Sequence, residues 1–389
     1  MFKHRLILDR IKPYFNSPEA IVITGMRRTG KTTLLTHLFD LIESENKLYL
    51  DLENPLNRKY FEEKNYDRIR KTLSGLGIDF TKKSFIFLDE IQTLKNLPSI
   101  VKYFIDHYKV KFFLTGSASF YLKNLFTESL SGRKYVFELY PLTFEEFLIF
   151  NESLLKIPQN ARDITPSLFE SISILYDEYL RFGGFPGVVL KTTFDEKKKM
   201  LEEIFTSFYQ LEITQLGDFR KNEVIRDLML LLMQRIGSRL DIQKISRELG
   251  IARFTLQEYL SFLEGTYFIK TIKPYSRGKD TEIRKASKVY LCDSGIVNHF
   301  ARLEPGLVFE NNVFQNLRIK GEINYYQRKS GVEVDFILNK KFAYEVKIKP
   351  DYGDLLRLKK IAQEIGLQRY AIISKEYVEM DRILYGFQI

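Results

Sequence analysis

The stretch AIVITGMRRTGKTTLLTHLF, residues 20–39, leaves the first third of the chain few ways to fold. Ala20–Thr24 reads as a short buried strand, Gly25-x-x-x-x-Gly30-Lys31-Thr32 follows at once, and Thr33–Leu41 continues with helical periodicity. A glycine-rich turn between a strand and a helix lets backbone N–H groups close around phosphate oxygens, and the helix start adds positive dipole. Gly25, Arg28, Thr29, Gly30, Lys31, Thr32 and Thr33 are therefore candidates to hold a polyphosphate. Lys31 would reach the β- and γ-phosphates and Thr32 a Mg²⁺ ion. A chance glycine turn would not need both flanks.

A second element agrees with the first. FIFLDEIQ, residues 85–92, is a buried strand that ends in two acids. Asp89 is placed to hold Mg²⁺ through its water shell, and Glu90 to polarise an attacking water as a general base. The plainer reading is a strand end with solvated acids. KLYLDL (47–52), KFFLTGSAS (111–119) and KYVFELYPL (134–142) read as further strands, with a helix expected over 121–133. Strands alternating with helices imply a parallel sheet whose active groups gather at the strand C-termini. That brings Thr115 or Ser117 near the γ-phosphate.

Composition narrows the setting. The single cysteine, Cys292, allows no internal disulfide, which fits a reducing, cytoplasmic compartment, and the four histidines have no zinc spacing. No apolar run approaches the roughly 18–20 residues that cross a bilayer, so no membrane partner is expected. The net charge of +10 is spread along the chain, which permits nucleic-acid binding without requiring it.

GMRRTGKTT, FIFLDEIQ, FFLTGSAS and LSGR…ELYPLTFEEF together resemble the AAA+ ATPases of bacteria and archaea, in particular a poorly characterised group with a C-terminal extension. The resemblance runs over nearly the whole chain and is most specific in its N-terminal motifs. It implies ATP and ADP as ligands, Mg²⁺ as cofactor, hydrolysis through Lys31, Glu90 and Thr115, and an assembly of identical subunits. Arg133 falls where that family carries an arginine finger for a neighbour's nucleotide. A structural arginine at a helix C-terminus is the equal alternative.

The expected organisation is an ATPase core over residues 1–150, a helical lid over 166–222, a winged helix over 223–298 and a nuclease-like domain over 299–389. The fold class is α/β throughout: a parallel P-loop AAA+ sheet with its lid, then the winged helix, then a C-terminal α/β restriction-endonuclease-like domain. In the lid, RFGGFPGVV (181–189) is similar to a glycine–proline motif of related signalling NTPases, which would set Pro186 near the adenine; a helix–helix turn needs the same residues. Met200, Leu201, Ile204, Phe205, Phe208 and Leu211 form an apolar helical stripe, read as core. Residues 240–265 read as helix, turn at Gly250, helix, followed by a wing. The second helix offers Arg253, Thr255 and Gln257 against Glu258 and Glu264. The wing is richer, with Lys270, Lys273, Arg277, Lys279, Arg284, Lys285 and Lys288 against Asp280 and Glu282. DNA contact through the wing and docking of a protein partner both stay open.

Near the end, VEVDFILNKKFAYEVKIK (332–349) reads as a hairpin around Asn339-Lys340-Lys341. Asp335 then faces Glu345, and Glu333 faces Lys347. Alternation puts Val332, Val334, Phe336, Leu338, Phe342, Tyr344, Val346 and Ile348 on a buried face and the four charges on the other. A wet charged face with a Glu333–Lys347 pair explains most of this. It leaves Asp335 and Glu345 opposed, a repulsion that a divalent cation would remove. An acid followed by Glu-x-Lys resembles the PD-(D/E)XK nuclease superfamily. That resemblance implies metal binding by Asp335 and Glu345, a water-activating Lys347, and an added acid from a preceding helix, where Glu310 stands.

Two functions follow. One is an ATPase that couples turnover to DNA binding or processing through its C-terminal half. The other is a slow nucleotide-dependent switch or scaffold whose C-terminal half holds a protein and cleaves nothing. A kinase on the same loop is a third, disfavoured by the Asp89–Glu90 pair.

Overall fold

The computed structural model describes residues 2–117, 130–216, 222–276, 286–328 and 330–389. The chain divides into two compact units, one of residues 1–140 with Gly265–Tyr267, the other of Pro141–Glu264 with Phe268–Ile389. Most of the helix expected over 121–133 lies outside the described residues, as do Arg277, Lys279, Asp280, Glu282, Arg284 and Lys285.

The first unit is a parallel sheet of β1 (Ala20–Thr24), β2 (Lys47–Asp51), β3 (Ser84–Asp89), β4 (Val110–Gly116) and β5 (Lys134–Glu138), in the order β2-β3-β4-β1-β5. Helices α1 (Ile7–Ile11), α2 (Lys31–Leu41), α3 (Pro55–Lys59), α4 (Tyr66–Gly75) and α5 (Leu97–His107) connect or flank the strands. All five residues of β1 are buried, as a strand covered on both faces must be. Ala20 and Val22 join Ile69, Leu73, Ile100 and Phe104 of α4 and α5, whereas Ile21 and Ile23 join Leu34, Leu35 and Leu38 of α2. Thr24 pairs with Gly116, and Asp51 with Asp89, so the C-terminal ends of β1, β3 and β4 lie along one edge.

The second unit begins with helices α6 (Phe144–Phe150), α7 (Pro166–Phe182), α8 (Pro186–Val189) and α9 (Phe194–Phe208), the last continuing as a π-helix over Tyr209–Leu216. Leu201, Ile204, Phe205 and Phe208 are buried as expected. Met200 and Leu211 are only half-buried, and Ile213 is buried instead. The wider π-turn moves the inward position on by more than an α-turn would, so the stripe slips past Leu211.

Helices α10 (Asn222–Met233), α11 (Ile242–Glu248) and α12 (Arg253–Gly265) lead into an antiparallel pair, β6 (Ile269–Pro274) and β7 (Lys288–Leu291). After α13 (Ser294–Ala301) and α14 (Pro305–Leu317) come β8 (Ile323–Gln327), β9 (Glu333–Leu338), β10 (Phe342–Lys347), α15 (Tyr352–Glu364), β11 (Arg369–Ser374) and β12 (Ile383–Tyr385). The seven strands form one mixed sheet, ordered β12-β11-β10-β9-β8-β6-β7. The sheet therefore runs without a break across the boundary anticipated at residue 298.

Asp293 joins the helical part of this unit to α13. One carboxylate oxygen accepts from the Gly184 N–H at 2.7 Å, and the other accepts from Gly295 N–H at 2.8 Å and Ile296 N–H at 3.3 Å. Beside it, a β-carbon on Gly295 would lie 2.1 Å from the Phe182 carbonyl oxygen. Burial pushes the Asp293 carboxyl up to about 6, against the lowering pull of its three N–H donors. The folded chain thus keeps a proton that the unfolded chain releases near pH 4. The stability tied to it is complete below about pH 4 and falls by roughly 3 kcal/mol as pH rises through about 6. Urea denaturation between pH 4 and 7.5 should show this fall in the wild type and lack it in Asp293→Asn. Equal pH slopes would remove Asp293 as its source.

Candidate functional site

Residues 25–30 cross from β1 to α2 as a tight loop. A β-carbon on Gly25 would lie 2.2 Å from the Leu139 carbonyl oxygen, so the strand can turn there only without a side chain. Arg28 (φ 66°) and Gly30 (φ 94°) are left-handed, the backbone alternation that gathers N–H groups into an anion-binding nest. Thr29 is fully buried, and its hydroxyl donates to the Met26 carbonyl at 2.9 Å. The Lys31 ammonium donates to the carbonyls of Gly25 at 3.0 Å and Met26 at 2.9 Å. Thr32 and Thr33 stand exposed on the first turn of α2. A brace that the motif does not announce comes from Arg5, whose guanidinium donates to the carbonyls of Thr29 and Tyr140, each at 2.8 Å.

The neighbouring strand ends supply the acids. Asp89 is buried and accepts from the Tyr49 hydroxyl at 3.1 Å, from the Glu90 N–H at 3.0 Å, and from the Thr115 hydroxyl. Glu90 lies just past β3 in a left-handed conformation, φ 51°. The Gln92 amide donates to the Glu90 carboxylate and to the Ser117 hydroxyl, the latter at 3.0 Å, and the Gln92 carbonyl accepts from the Ser117 N–H at 3.3 Å. Thr115 thus bears on the acid expected to hold the metal, whereas Ser117 bears on the expected base through Gln92. Tyr49, Gln92 and Arg5 were not picked out from the sequence. Gln92 carries a signal, two residues after Glu90 inside the same motif; Arg5 carries none.

Arg133 and Pro186, the other nucleotide-site candidates, have these local surroundings. Arg133 sits at the start of β5, and its carbonyl accepts from the Ala20 N–H at 2.9 Å, so it lies at the strand edge opposite the phosphate loop. Its guanidinium donates to Asp106 at 2.6 Å and holds that exposed carboxyl below its usual range. Pro186 belongs to the second unit, where it opens α8.

In the second unit the charged residues of the terminal hairpin converge. The ladder pairs Phe342 with Leu338, Ala343 with Ile337 and Tyr344 with Phe336, in the expected register. Both faces are covered, and this corrects the wet charged face. Val334, Ile337 and Ala343 pack with Leu355, Leu358 and Ile361 of α15, while Phe336 packs near Tyr290 and Phe314 on the other side. Val334 and Ile337 can share a face because β9 bulges: Asp335 and Phe336 stand opposite the single residue between Asn324 and Tyr326 of β8. A bulge re-aims a side chain. Here the Asp335 carboxylate accepts from the Val346 N–H at 2.8 Å.

The anticipated Glu333–Lys347 pair does not form. Lys347 binds Glu345 at 3.1 Å, and Arg357 of α15 binds the same carboxylate at 2.9 Å. Glu333 is held by Lys288 at 2.8 Å. Lys288 is therefore not a DNA-facing wing residue: it is buried. Glu310 accepts from the Tyr290 hydroxyl at 2.6 Å, on a helix fixed by Asn311 to the Leu291 backbone and by Asn312 to the Tyr176 hydroxyl. Burial, then the charge of Asp335, pushes the Glu310 carboxyl up to about 7. Burial and mutual repulsion likewise raise Asp335, and burial raises Glu345 against the pull of Lys347 and Arg357. For Lys288, burial works against the charge, but Glu310, Asp335 and Glu333 outweigh it.

The donor chemistry of both sites fits a hard divalent cation: Asp89 and Thr32 at the phosphate loop, and Glu310, Asp335 and Glu345 at the hairpin. The three hairpin carboxylates act on one another or on shared cations, yet among the described residues no three His, Cys, Asp or Glu are arranged as a ligand set. Their contacts are to Tyr290, the Val346 N–H, Lys347 and Arg357 instead.

Comparison with known proteins finds the following similarities. Residues 17–148 match a family described as an AAA domain, and residues 173–306 match one described as a domain of unknown function. With its parallel sheet, the N-terminal unit has an AAA+ ATPase-like α/β fold. An uncharacterized protein of Haemophilus influenzae is 29% identical over 336 residues, 82% of this chain and 79% of its own. One from Methanocaldococcus jannaschii is 28% identical over 390 residues, 92% of this chain and 85% of its own. The Aeropyrum pernix ORC1 protein, solved in complex with DNA, aligns at 15% identity over 77% of this chain and 92% of its own, with a TM-score of 0.34. No helix among the described residues is long and apolar enough to cross a membrane.

Proposed function

We propose that this chain is an ATP-hydrolysing AAA+-type ATPase whose C-terminal unit acts on DNA. The observation that carries the first part is the single edge formed by β1, β4 and β3, which brings the phosphate loop, Thr115 and the Asp89–Glu90 pair onto adjacent strands. Lys31 and the loop N–H groups would bind the β- and γ-phosphates. Asp89 and Thr32 would hold Mg²⁺, which supplies charge neutralisation for the leaving phosphate. Glu90, oriented by Gln92, would take the proton of the attacking water. Steady-state phosphate release from ATP by the full chain, with Mg²⁺ and with EDTA, tests this. Release that needs Mg²⁺ is expected; none under either condition would end the reading. Arg133, turned from its own site's edge and bound to Asp106, could serve a neighbouring copy only by leaving that partner.

The carboxylate pocket supports a nuclease-like role for the second unit. Glu310, Asp335 and Glu345 would hold a divalent cation, which supplies Lewis acidity for phosphodiester hydrolysis. Lys347, anchored on Glu345, would bind a phosphate oxygen or water. Full-chain protein with Mn²⁺ should cut single-stranded, duplex or branched DNA, and both Asp335→Asn and Lys347→Ala should lose at least about 10²-fold of the rate. Cutting that persists in both variants would assign it to a contaminant.

One observation favours the protein-docking alternative. Phe254, on the first turn of α12, is 70% exposed, while Lys288 has withdrawn into the pocket. An exposed aromatic with Gln257 and Glu258 beside it suits a protein surface better than phosphate. Binding to DNA that weakens steeply with salt would favour the first reading.

A further inference from the structure

The carboxylate pocket contains a cation that its motif does not supply. Four carboxylates meet there: Glu310, Glu333, Asp335 and Glu345. Lys347 and Arg357 both settle on Glu345. Asp335 also acts on Lys347, but all three of the other acids face the ammonium of Lys288, which comes from β7. Its Nζ lies 2.8 Å from Glu333 Oε1, and its side chain is 4% exposed. Glu310 and Asp335 act on it electrostatically from the same pocket. Its backbone is fixed, since it pairs with Ile272 on one side and bridges Arg239 on the other. Its ammonium passes 5.4 Å from the Tyr325 ring centroid, which narrows its path. Two residues on, and so on the same face of the strand, Tyr290 donates to Glu310. One strand therefore supplies partners to two of the four acids.

We propose that the Lys288 ammonium, held by Glu333, is the built-in counter-ion of this pocket, and that it competes with a divalent cation for Glu310 and Asp335. The proposal rests on reading the pocket as a metal site. Glu310, Glu333 and Glu345 are turned toward phenol, ammonium and guanidinium groups and Asp335 toward the Val346 N–H, and no ligand set is assembled among the described residues. A divalent ion entering the pocket meets a positive charge that is buried and tethered on a paired strand. It must either displace that charge or bind weakly beside it. Because Lys288 belongs to the hairpin that follows α12, anything that shifts β7 would change the affinity of the pocket for metal.

Calorimetric titration of Mn²⁺ into the full chain tests this, with Asp335→Asn defining the heat that belongs to this pocket. Lys288→Gln removes the charge and keeps an N–H donor, and Lys288→Arg keeps the charge. Lys288→Gln should bind Mn²⁺ tighter by ~10–100-fold, the scale on which residues around a metal tune its affinity. Lys288→Arg should stay near the wild type. If Lys288→Gln does not fold, as judged by near-ultraviolet circular dichroism, the double change Lys288→Gln with Glu333→Gln removes the ion pair as a unit, and the same tightening is expected. Equal or weaker binding in the Gln variants overturns the competition and leaves the metal-site reading standing. No pocket-specific binding in any variant overturns both.

Discussion

Glu90→Gln should lower steady-state ATP turnover by about 10²–10⁴-fold while leaving nucleotide affinity within a few-fold of wild type. The asymmetry follows from where Glu90 sits. It lies past the end of β3, outside the phosphate loop, and its carboxylate contacts Gln92. Removing the basic oxygen therefore removes proton abstraction but no phosphate contact. Lys31→Ala should differ in kind. The Lys31 ammonium is buried on the loop and bonded to the carbonyls of Gly25 and Met26, within reach of any phosphate the loop encloses. Its loss should abolish turnover to below about 10⁻² of wild type and weaken nucleotide binding as well. Fluorescent-nucleotide titration beside phosphate release separates the two. Normal turnover in both variants would reject the site, and weakened binding in Glu90→Gln would mean that the acid contacts nucleotide or Mg²⁺ directly.

Gly295→Ala should cost roughly 4 kcal/mol of stability, a large loss for one methyl group. The added carbon would lie 2.1 Å from the Phe182 carbonyl oxygen and 2.3 Å from its carbon, and both are backbone atoms at the end of α7. A flexible side chain could move aside; a helix end cannot without shifting α7. The displacement would also pull apart the N–H groups that converge on Asp293. Equilibrium denaturation in urea measures the loss, and a change under about 1 kcal/mol would show that α7 and α13 slide freely.

The phosphate loop was legible because its chemistry is local. Strand, glycine turn and helix are written in one run of residues, and the buried strand that ends at Asp89 is nearly as compact. The hairpin register was legible for the same reason, since a three-residue loop fixes which residues face each other. What escaped depends on distant partners. The bulge at Asp335–Phe336 arises from pairing with β8, which the hairpin does not mention. Lys288 read as a solvated basic residue because charge alone does not reveal Glu333, 45 positions later. Strict alternation sets Glu333 opposite Lys347, and both the bulge and the second covering helix defeat that pattern. Leu211 was misplaced by a π-turn that no simple helical period anticipates.

The seam between β6 and β8 has a practical consequence. It is short, with Lys273 beside Asn324 and Pro274 beside Tyr325, yet it makes the hairpin and the C-terminal strands one hydrogen-bonded surface. A fragment ending near residue 298 would leave β6 with a raw edge, and the complementary fragment would leave β8 with another. Such edges recruit strands from other molecules. Dissecting this protein into its apparent modules would thus yield aggregates where modules were sought. Amides on both sides of the seam should instead exchange with solvent through one shared opening.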